Sequence, residues 1–234
     1  MRIEERSYSS KIFRPKPYLH RESDGSLLIV ATSWGHAEHA VRVADEITKY
    51  MTAAKGDVEV TSPFEFLPTL SDQANQLRIS MMIANDILYR GENKAEYISG
   101  VEILALSRSG QELAWAQIGG PHLLFRRRGR PLVPLATAFD HAFELSLSGD
   151  VPPPLPSRLL GVDPTCHIVA GDLQVSDQDR LVLLSSSVLP ESLWGLSDHL
   201  DLAHLTQRMA REDGDAPFWL GIVDLNENSD LSNS

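Results

Sequence analysis

The sequence predicts an α+β fold in which two packed antiparallel sheets carry helices on their outer faces, an αββα arrangement. Three observations lead there. Short strands follow one another through the middle of the chain with tight turns between them, the signature of antiparallel hairpins. Long amphipathic helices occur as an early pair and once more near the end, without the regular strand–helix alternation of a doubly wound sheet. Residues 27–30 and 181–184 are apolar at consecutive positions, and a strand apolar on both faces must be covered on both.

Taken in order, residues 26–32 (SLLIVAT) form an apolar run after the turn signal Asp24-Gly25 and read as a buried strand. A helix over 36–54 follows, with Ala37, Ala40, Val41, Ala44, Ile47 and Met51 at helical spacing. A second helix spans about 71–89. Ser71 and Asp72 are its cap candidates, and Ala74, Leu77, Met81, Ala84 and Leu88 form one stripe. Strands are expected at 101–107, 112–118, 122–127 and 131–135, joined by turns that include Arg108-Ser109-Gly110 and Arg128-Gly129-Arg130. Residues 151–156 (VPPPLP) are an extended connection, because each proline ring fixes φ and removes a donor. Strands at 167–175 and 180–186, a helix near 197–211 and a strand at 217–225 complete one domain, expected over residues 1–225. The polar tail 226–234 (NENSDLSNS) is expected to be disordered.

The composition narrows the function. With 21 Lys and Arg against 32 Asp and Glu the chain carries a net charge of −11, which repels phosphate backbones and anionic lipid, so neither nucleic acid nor a membrane surface is an expected partner. Cys166 is the only cysteine, so no internal disulfide can form and a reducing, cytoplasmic setting fits. Residues 1–16 alternate charge with single apolar residues, unlike a signal peptide, and no apolar run reaches the ~18 residues that span a bilayer.

Several segments resemble, in order, the metal-dependent protein phosphatase family of type 2C serine/threonine phosphatases. Residues 28–35 (LIVATSWG) look like its strand ending in V-A-D-G-M-G, and 100–106 (GVEILAL) stand where it has a G-T-T-containing strand. Residues 113–124 (LAWAQIGGPHLL) look like its A-N-V-G-D-S-R hairpin, and 158–164 (RLLGVDP) match its A-L-G-x-D/x-P stretch. Residues 176–187 (SDQDRLVLLSSS) look like P-G-D-x-L-L-L-C-S-D-G, and 214–223 (GDAPFWLGIV) are similar to its terminal D-N/D-x-T plus strand. The resemblance covers roughly residues 21–225 and implies an αββα sandwich, the architecture already reached from the strand pattern.

It also implies a site for two divalent cations, and there the sequence departs from the family. Thr32 and Ser33 replace an Asp-Gly whose aspartate bridges both metals, and Gly120 replaces the hairpin aspartate. Ser186 and Ser187 replace a second Asp-Gly, and Gly214 stands where a terminal aspartate belongs, with Asp215 beside it. The N-terminal N-E-D element falls near Pro15-Lys16-Pro17, which offers no acid. Mg²⁺ and Mn²⁺ prefer carboxylate and water oxygens, and in a two-metal phosphatase they supply the nucleophile and the charge neutralisation together. The expectation is therefore a pseudophosphatase with no metal and no catalytic residue.

Other polar groups have plainer readings beside functional ones. His36 resembles the family histidine that follows the D-G motif, a proton donor to the leaving group; His36 and His39, with Glu38, could instead hold a relocated metal or simply be exposed first-turn residues. Asp198, His199, Asp201 and His204 form a second cluster, explained by an acidic first helical turn behind Ser197. Ser185-Ser186-Ser187 lack a G-x-S-x-G elbow, which argues against a serine hydrolase, and Cys166 has no local base to activate it. Arg126, Arg127, Arg128 and Arg130 make the one dense basic patch, either a solvated turn or a site for phosphate or an acidic partner. Trp34 is either a plug for the vacated cleft or a docking anchor.

The functional expectation is an inactive phosphatase-like module that binds a protein, such as a phosphoprotein or a kinase-pathway component. Two alternatives stay open. One is an active Mg²⁺- or Mn²⁺-dependent Ser/Thr phosphatase using Asp215, Glu38 or Asp45; the other is a metabolite sensor with a pocket lined by Thr32, Trp34, Gly120 and Ser186.

Overall fold

A computed structural model describes residues 1–56, 64–145, 152–194 and 201–226. The chain divides into two compact units. The first comprises Met1–Lys16, Gly120–Ser157 and Val175–Ser234, the second Pro17–Gly119 and Arg158–Gln174. Each holds a five-stranded antiparallel sheet with helices, so the α+β class with two antiparallel sheets stands.

In the second unit the order is β2-β3-β4-β5-β8, from β2 (Tyr18–Arg21), β3 (Leu27–Gly35), β4 (Ser99–Ser109), β5 (Glu112–Ile118) and β8 (Val169–Gln174). Two helices, α1 (Glu38–Gly56) and α2 (Asp72–Arg90), pack on this sheet. Leu27, Ile29 and Ala31 of β3 join Ala40, Ala44 and Ile47 of α1 and Leu77, Met81 and Leu88 of α2 in one core. Side chains of the size of Ile47 and Leu77, both fully buried, each contribute about 1.5–3 kcal/mol by leaving water. Leu28 and Val30 are buried as well, as a strand apolar on both faces requires. The Ser71 hydroxyl caps α2 by accepting from the Ala74 N–H at 3.3 Å, and Gly91 closes it by donating to the Ile87 carbonyl at 2.9 Å.

The first unit's sheet runs β1-β10-β9-β6-β7, from β1 (Arg2–Tyr8), β6 (His122–Arg126), β7 (Val133–Ala136), β9 (Arg180–Ser185) and β10 (Phe218–Asp224). Helix α4 (Leu202–Glu212) packs Leu205 and Met209 against Leu184, Phe218, Leu220 and Ile222, and a single turn, α3 (Ala142–Leu145), lies between β7 and β8 in sequence.

Two strands were not expected. Strand β1 (RIEERSY) is mostly charged and, among the described residues, pairs only with β10; strand β2 is four residues long and pairs only with β3. Both are edge strands, where charges and brevity discourage pairing with other chains and also hide the strand pattern from sequence. The late helix starts at Leu202, where the Asp201 carboxylate accepts from the Ala203 and His204 N–H groups at 2.8 and 3.4 Å. Ser197, expected at its head, lies outside the described residues, as do Asp198, His199 and residues 227–234 of the tail. Among the described residues no helix is long and apolar enough to cross a membrane.

Candidate functional site

The residues singled out by the type 2C resemblance fall on both units. In the second unit, Thr32 and Ser33 end the buried part of β3, and Thr32 stands opposite Glu102 in the register of β3 and β4. Both hydroxyl residues are buried. Ser33 Oγ donates to the His36 carbonyl at 2.7 Å and lies 3.1 Å from Ser99 Oγ. Two residues on, the half-buried Trp34 donates its indole N–H to Glu102 Oε2 at 2.9 Å. Glu102 is only 4% exposed, and a carboxylate taken out of water must be hydrogen-bonded. Gly119 makes room for it: its φ is +66°, and a Cβ there would lie 2.7 Å from Glu102 Cγ and 2.6 Å from the Arg158 carbonyl.

At the start of α1, His36 is 59% exposed with Nδ1 3.7 Å from Glu38, whereas His39 is buried with Nε2 3.8 Å from Glu92, itself paired with Arg42. His39 is thus not the exposed first-turn residue of the plain reading. The two rings meet edge to face at 5.7 Å. Asp45 is exposed on α1, and no three His, Cys, Asp or Glu side chains among the described residues are grouped to hold a metal ion.

In the first unit, Ser185-Ser186-Ser187 close β9, and a cluster that the sequence had not signalled surrounds them. Arg14 Nη2 donates to Asp140 Oδ2 at 3.0 Å and to Ser187 Oγ at 2.9 Å, and Ser187 Oγ donates to Asp140 Oδ2 at 2.8 Å. The Arg14 and Asp140 side chains are 5% and 7% exposed. Asp140 Oδ1 accepts two backbone N–H groups, from Ala142 at 2.9 Å and Leu155 at 2.7 Å. His122, buried in β6, accepts the Ala138 N–H on Nδ1 at 3.1 Å, so its proton sits on Nε2, 3.3 Å from the Ser186 carbonyl. Burial pushes this imidazole down to about 4, helped by the Arg14 charge and opposed by the Ser186 carbonyl and Asp140. Ser186 Oγ is spent on the Val188 carbonyl. Ser186 and Ser187 thus both use their hydroxyl protons within the fold, Ser187 on a carboxylate that Arg14 holds.

Gly214 accepts the Tyr8 hydroxyl on its carbonyl at 3.1 Å, and a Cβ on it would meet nothing nearer than 3.5 Å. Nothing in the backbone demands glycine there. Asp215 donates its N–H to Asp213 Oδ1 at 3.2 Å, and Lys16 pairs with Glu5 at 2.8 Å. The basic run is split: Arg126 is buried, Arg127 pairs at 3.1 Å with the buried Asp179 and lies over the Phe125 ring, and Arg128 reaches Gln178. Cys166 is half-buried and burial pushes its thiol up to about 11, which makes it a poor nucleophile.

The residues present do not fit a pair of hard cations. Where the resemblance puts metal-binding residues, Ser33 Oγ donates to the His36 carbonyl and Ser186 Oγ to the Val188 carbonyl, and Gly120 and Gly214 have no side chain at all. Glu102 carried a signal, a lone acid inside an apolar strand. Arg14 and Asp140 carried none, because 126 residues separate them and no local pattern joins them.

No protein-family model matches the chain, and no curated protein is similar to it in sequence. Solved structures are similar in fold. The PPM Ser-Thr phosphatase MsPP of Mycobacterium smegmatis, in complex with cacodylate, superposes with a TM-score of 0.64 at 16% identity, covering 97% of this chain and 99% of its own. PppA, a key regulatory component of T6SS in Pseudomonas aeruginosa, gives 0.60 at 16% identity over 95% and 97%. The catalytic domain of the phosphatase PstP, in complex with two manganese ions, gives 0.57 at 15% identity over 95% and 97%. The chain has the fold of the PPM Ser/Thr phosphatases.

Proposed function

We propose that this chain is a phosphatase-fold protein without catalytic activity, which acts in the cytoplasm by binding another protein, a phosphoprotein or a component of a kinase pathway. The observation that carries the reading is the Arg14–Asp140–Ser187 triangle. Beside Ser186, the buried cation and the buried carboxylate of the first unit neutralise each other, so neither is open to a phosphoryl group or a divalent ion. The hydroxyls and glycines at Thr32, Ser33, Gly120, Ser186 and Gly214 add no negative oxygen, and PPM catalysis needs several to hold its cations. With the chemistry gone, the retained fold serves as a surface. Trp34, pinned by Glu102 and half-buried, is a preorganised aromatic anchor of the kind on which binding energy concentrates. That a protein of the same fold is a regulatory component in Pseudomonas aeruginosa supports a signalling role.

The test is hydrolysis of a phosphoserine peptide with Mn²⁺ in excess. No release of phosphate above buffer is expected; turnover that a chelator abolishes overturns the reading. Partner capture by the wild type but not by Trp34→Ala would assign the anchor, and equal capture would remove Trp34 from it.

A further inference from the structure

The two sheets have four outer strands, and three of them are guarded against further pairing. Strand β1 carries four charges in seven residues. Strand β2 is only four residues long. Strand β7 is as short, contains Pro134, and shifts register beside Leu123 and Leu124 of β6. Charge, brevity, proline and bulges are the devices by which folded proteins keep their edges from adding strands.

Strand β8 has none of them. It runs six residues in unbroken register with β5, and among the described residues it pairs with no other strand. It holds no proline, lysine or arginine. Its one charge, Asp172, is engaged at the start of α2, where Oδ2 accepts the Ser71 N–H at 3.0 Å. Val169 is 43% exposed and Leu173 half-buried. In the middle stands Gly171, where a Cβ would lie 2.5 Å from the Trp115 ring. An interior glycine is a place where a second backbone can come close. In an outer strand the N–H and C=O groups of alternate residues face away from the sheet, ready for such a backbone.

We propose that β8 pairs antiparallel with β8 of a second copy of this chain, joining two five-stranded sheets across a twofold axis. Such a pair must set outward-facing residues against outward-facing residues, so the axis passes through a residue and not between two. Centred on Asp172, it would put the two aspartates directly opposite, which is destabilising. Centred on Gly171, it brings the glycines together, Val169 against Leu173 on both sides, and Asp172 against Ala170. Every pair in that register is apolar with apolar or acid with neutral. A second copy is favoured over an unrelated strand because one register satisfies both chains with the same residues and closes on itself. The net charge of −11 makes two copies repel wherever acids are dense, so an edge with a single acid is where they can meet. The pairing lies wholly within the second unit and does not depend on whether the phosphatase-like site is active.

Sedimentation equilibrium of the full chain tests for the dimer. The wild type should climb from the mass of one chain towards two, with a Kd of about 100 µM or tighter, as suits an interface at the small end of the size range. Val169→Lys puts a guarding lysine on an exposed edge position and should weaken the dimer about tenfold or more. A pair of cysteines tests the register. In a Cys166→Ser background, Val169→Cys with Leu173→Cys should cross-link two chains on oxidation. The two positions face each other across the axis, yet within one strand they lie about 13 Å apart, too far for a disulfide. Either cysteine alone should not cross-link. A wild type that stays monomeric to about 1 mM overturns the proposal. So does a dimer that Val169→Lys leaves unchanged, and so does a cysteine pair that cross-links no better than the single cysteines, which would mean another register or chance contact.

Discussion

In the first unit Asp140 is buried against a full opposite charge, Arg14, while in the second unit Glu102 is buried with the neutral indole N–H of Trp34. Each carboxylate stands next to positions where the type 2C resemblance expects metal-binding acids. Asp140 also accepts from Ser187 and two backbone N–H groups, so its lone pairs are consumed by the fold. Glu102 is held by an aromatic side chain that is itself only half-buried and can face a partner. The ion pair is closed on itself in the first unit, whereas the indole–carboxylate pair of the second leaves its aromatic side chain half-buried.

Breaking the ion pair should have the largest effect. Asp140→Asn leaves Arg14 buried without its counter-charge and should cost about 3–5 kcal/mol in urea unfolding. The double variant Arg14→Met, Asp140→Leu should recover much of that, since apolar replacements of buried pairs are often tolerated. If the single variant loses less than about 1 kcal/mol, the pair does not stabilise the fold.

A second way to sharpen the contrast is pH. His122 sits beside Arg14 and Asp140 with its folded pKa pushed down to about 4, below the ordinary 6.5. Between those values the unfolded chain binds the extra proton, so stability is full above pH 6.5 and is lost as pH falls towards 4, by an amount on the order of 3 kcal/mol. Below pH 4 this contribution changes no further. His122→Gln should flatten that part of the stability profile, and an unchanged profile would dissociate His122 from the ion pair.

The smallest effect belongs to the second unit. Trp34→Phe removes the indole donor and should cost about 1–3 kcal/mol through the loss of one partner of Glu102. Stability within error of the wild type would mean that Glu102 is satisfied without Trp34.

Much of the scaffold was legible in the sequence. Strands β3 to β6 and helices α1 and α2 lie close to where apolar periodicity put them, because a buried stripe needs a fixed spacing. Strands β1 and β2 were not legible, since edge positions reward charge over alternation. Segment resemblance singled out Thr32, Ser33, Ser186 and Gly214 as candidates, whereas the Arg14–Asp140 pair arises from the tertiary fold alone. His39 was misjudged as exposed because its position in the first turn does not reveal that Glu92 comes to meet it.

The pairing of β1 with β10 joins segments that are synthesised far apart in time, Arg2 opposite Asp224. At roughly 5–20 residues per second, β1 waits about 10–40 s for its partner strand. During that interval an uncharged strand would be a sticky end. The Arg and Glu side chains of β1 keep the nascent segment solvated until β10 emerges and the first sheet can close.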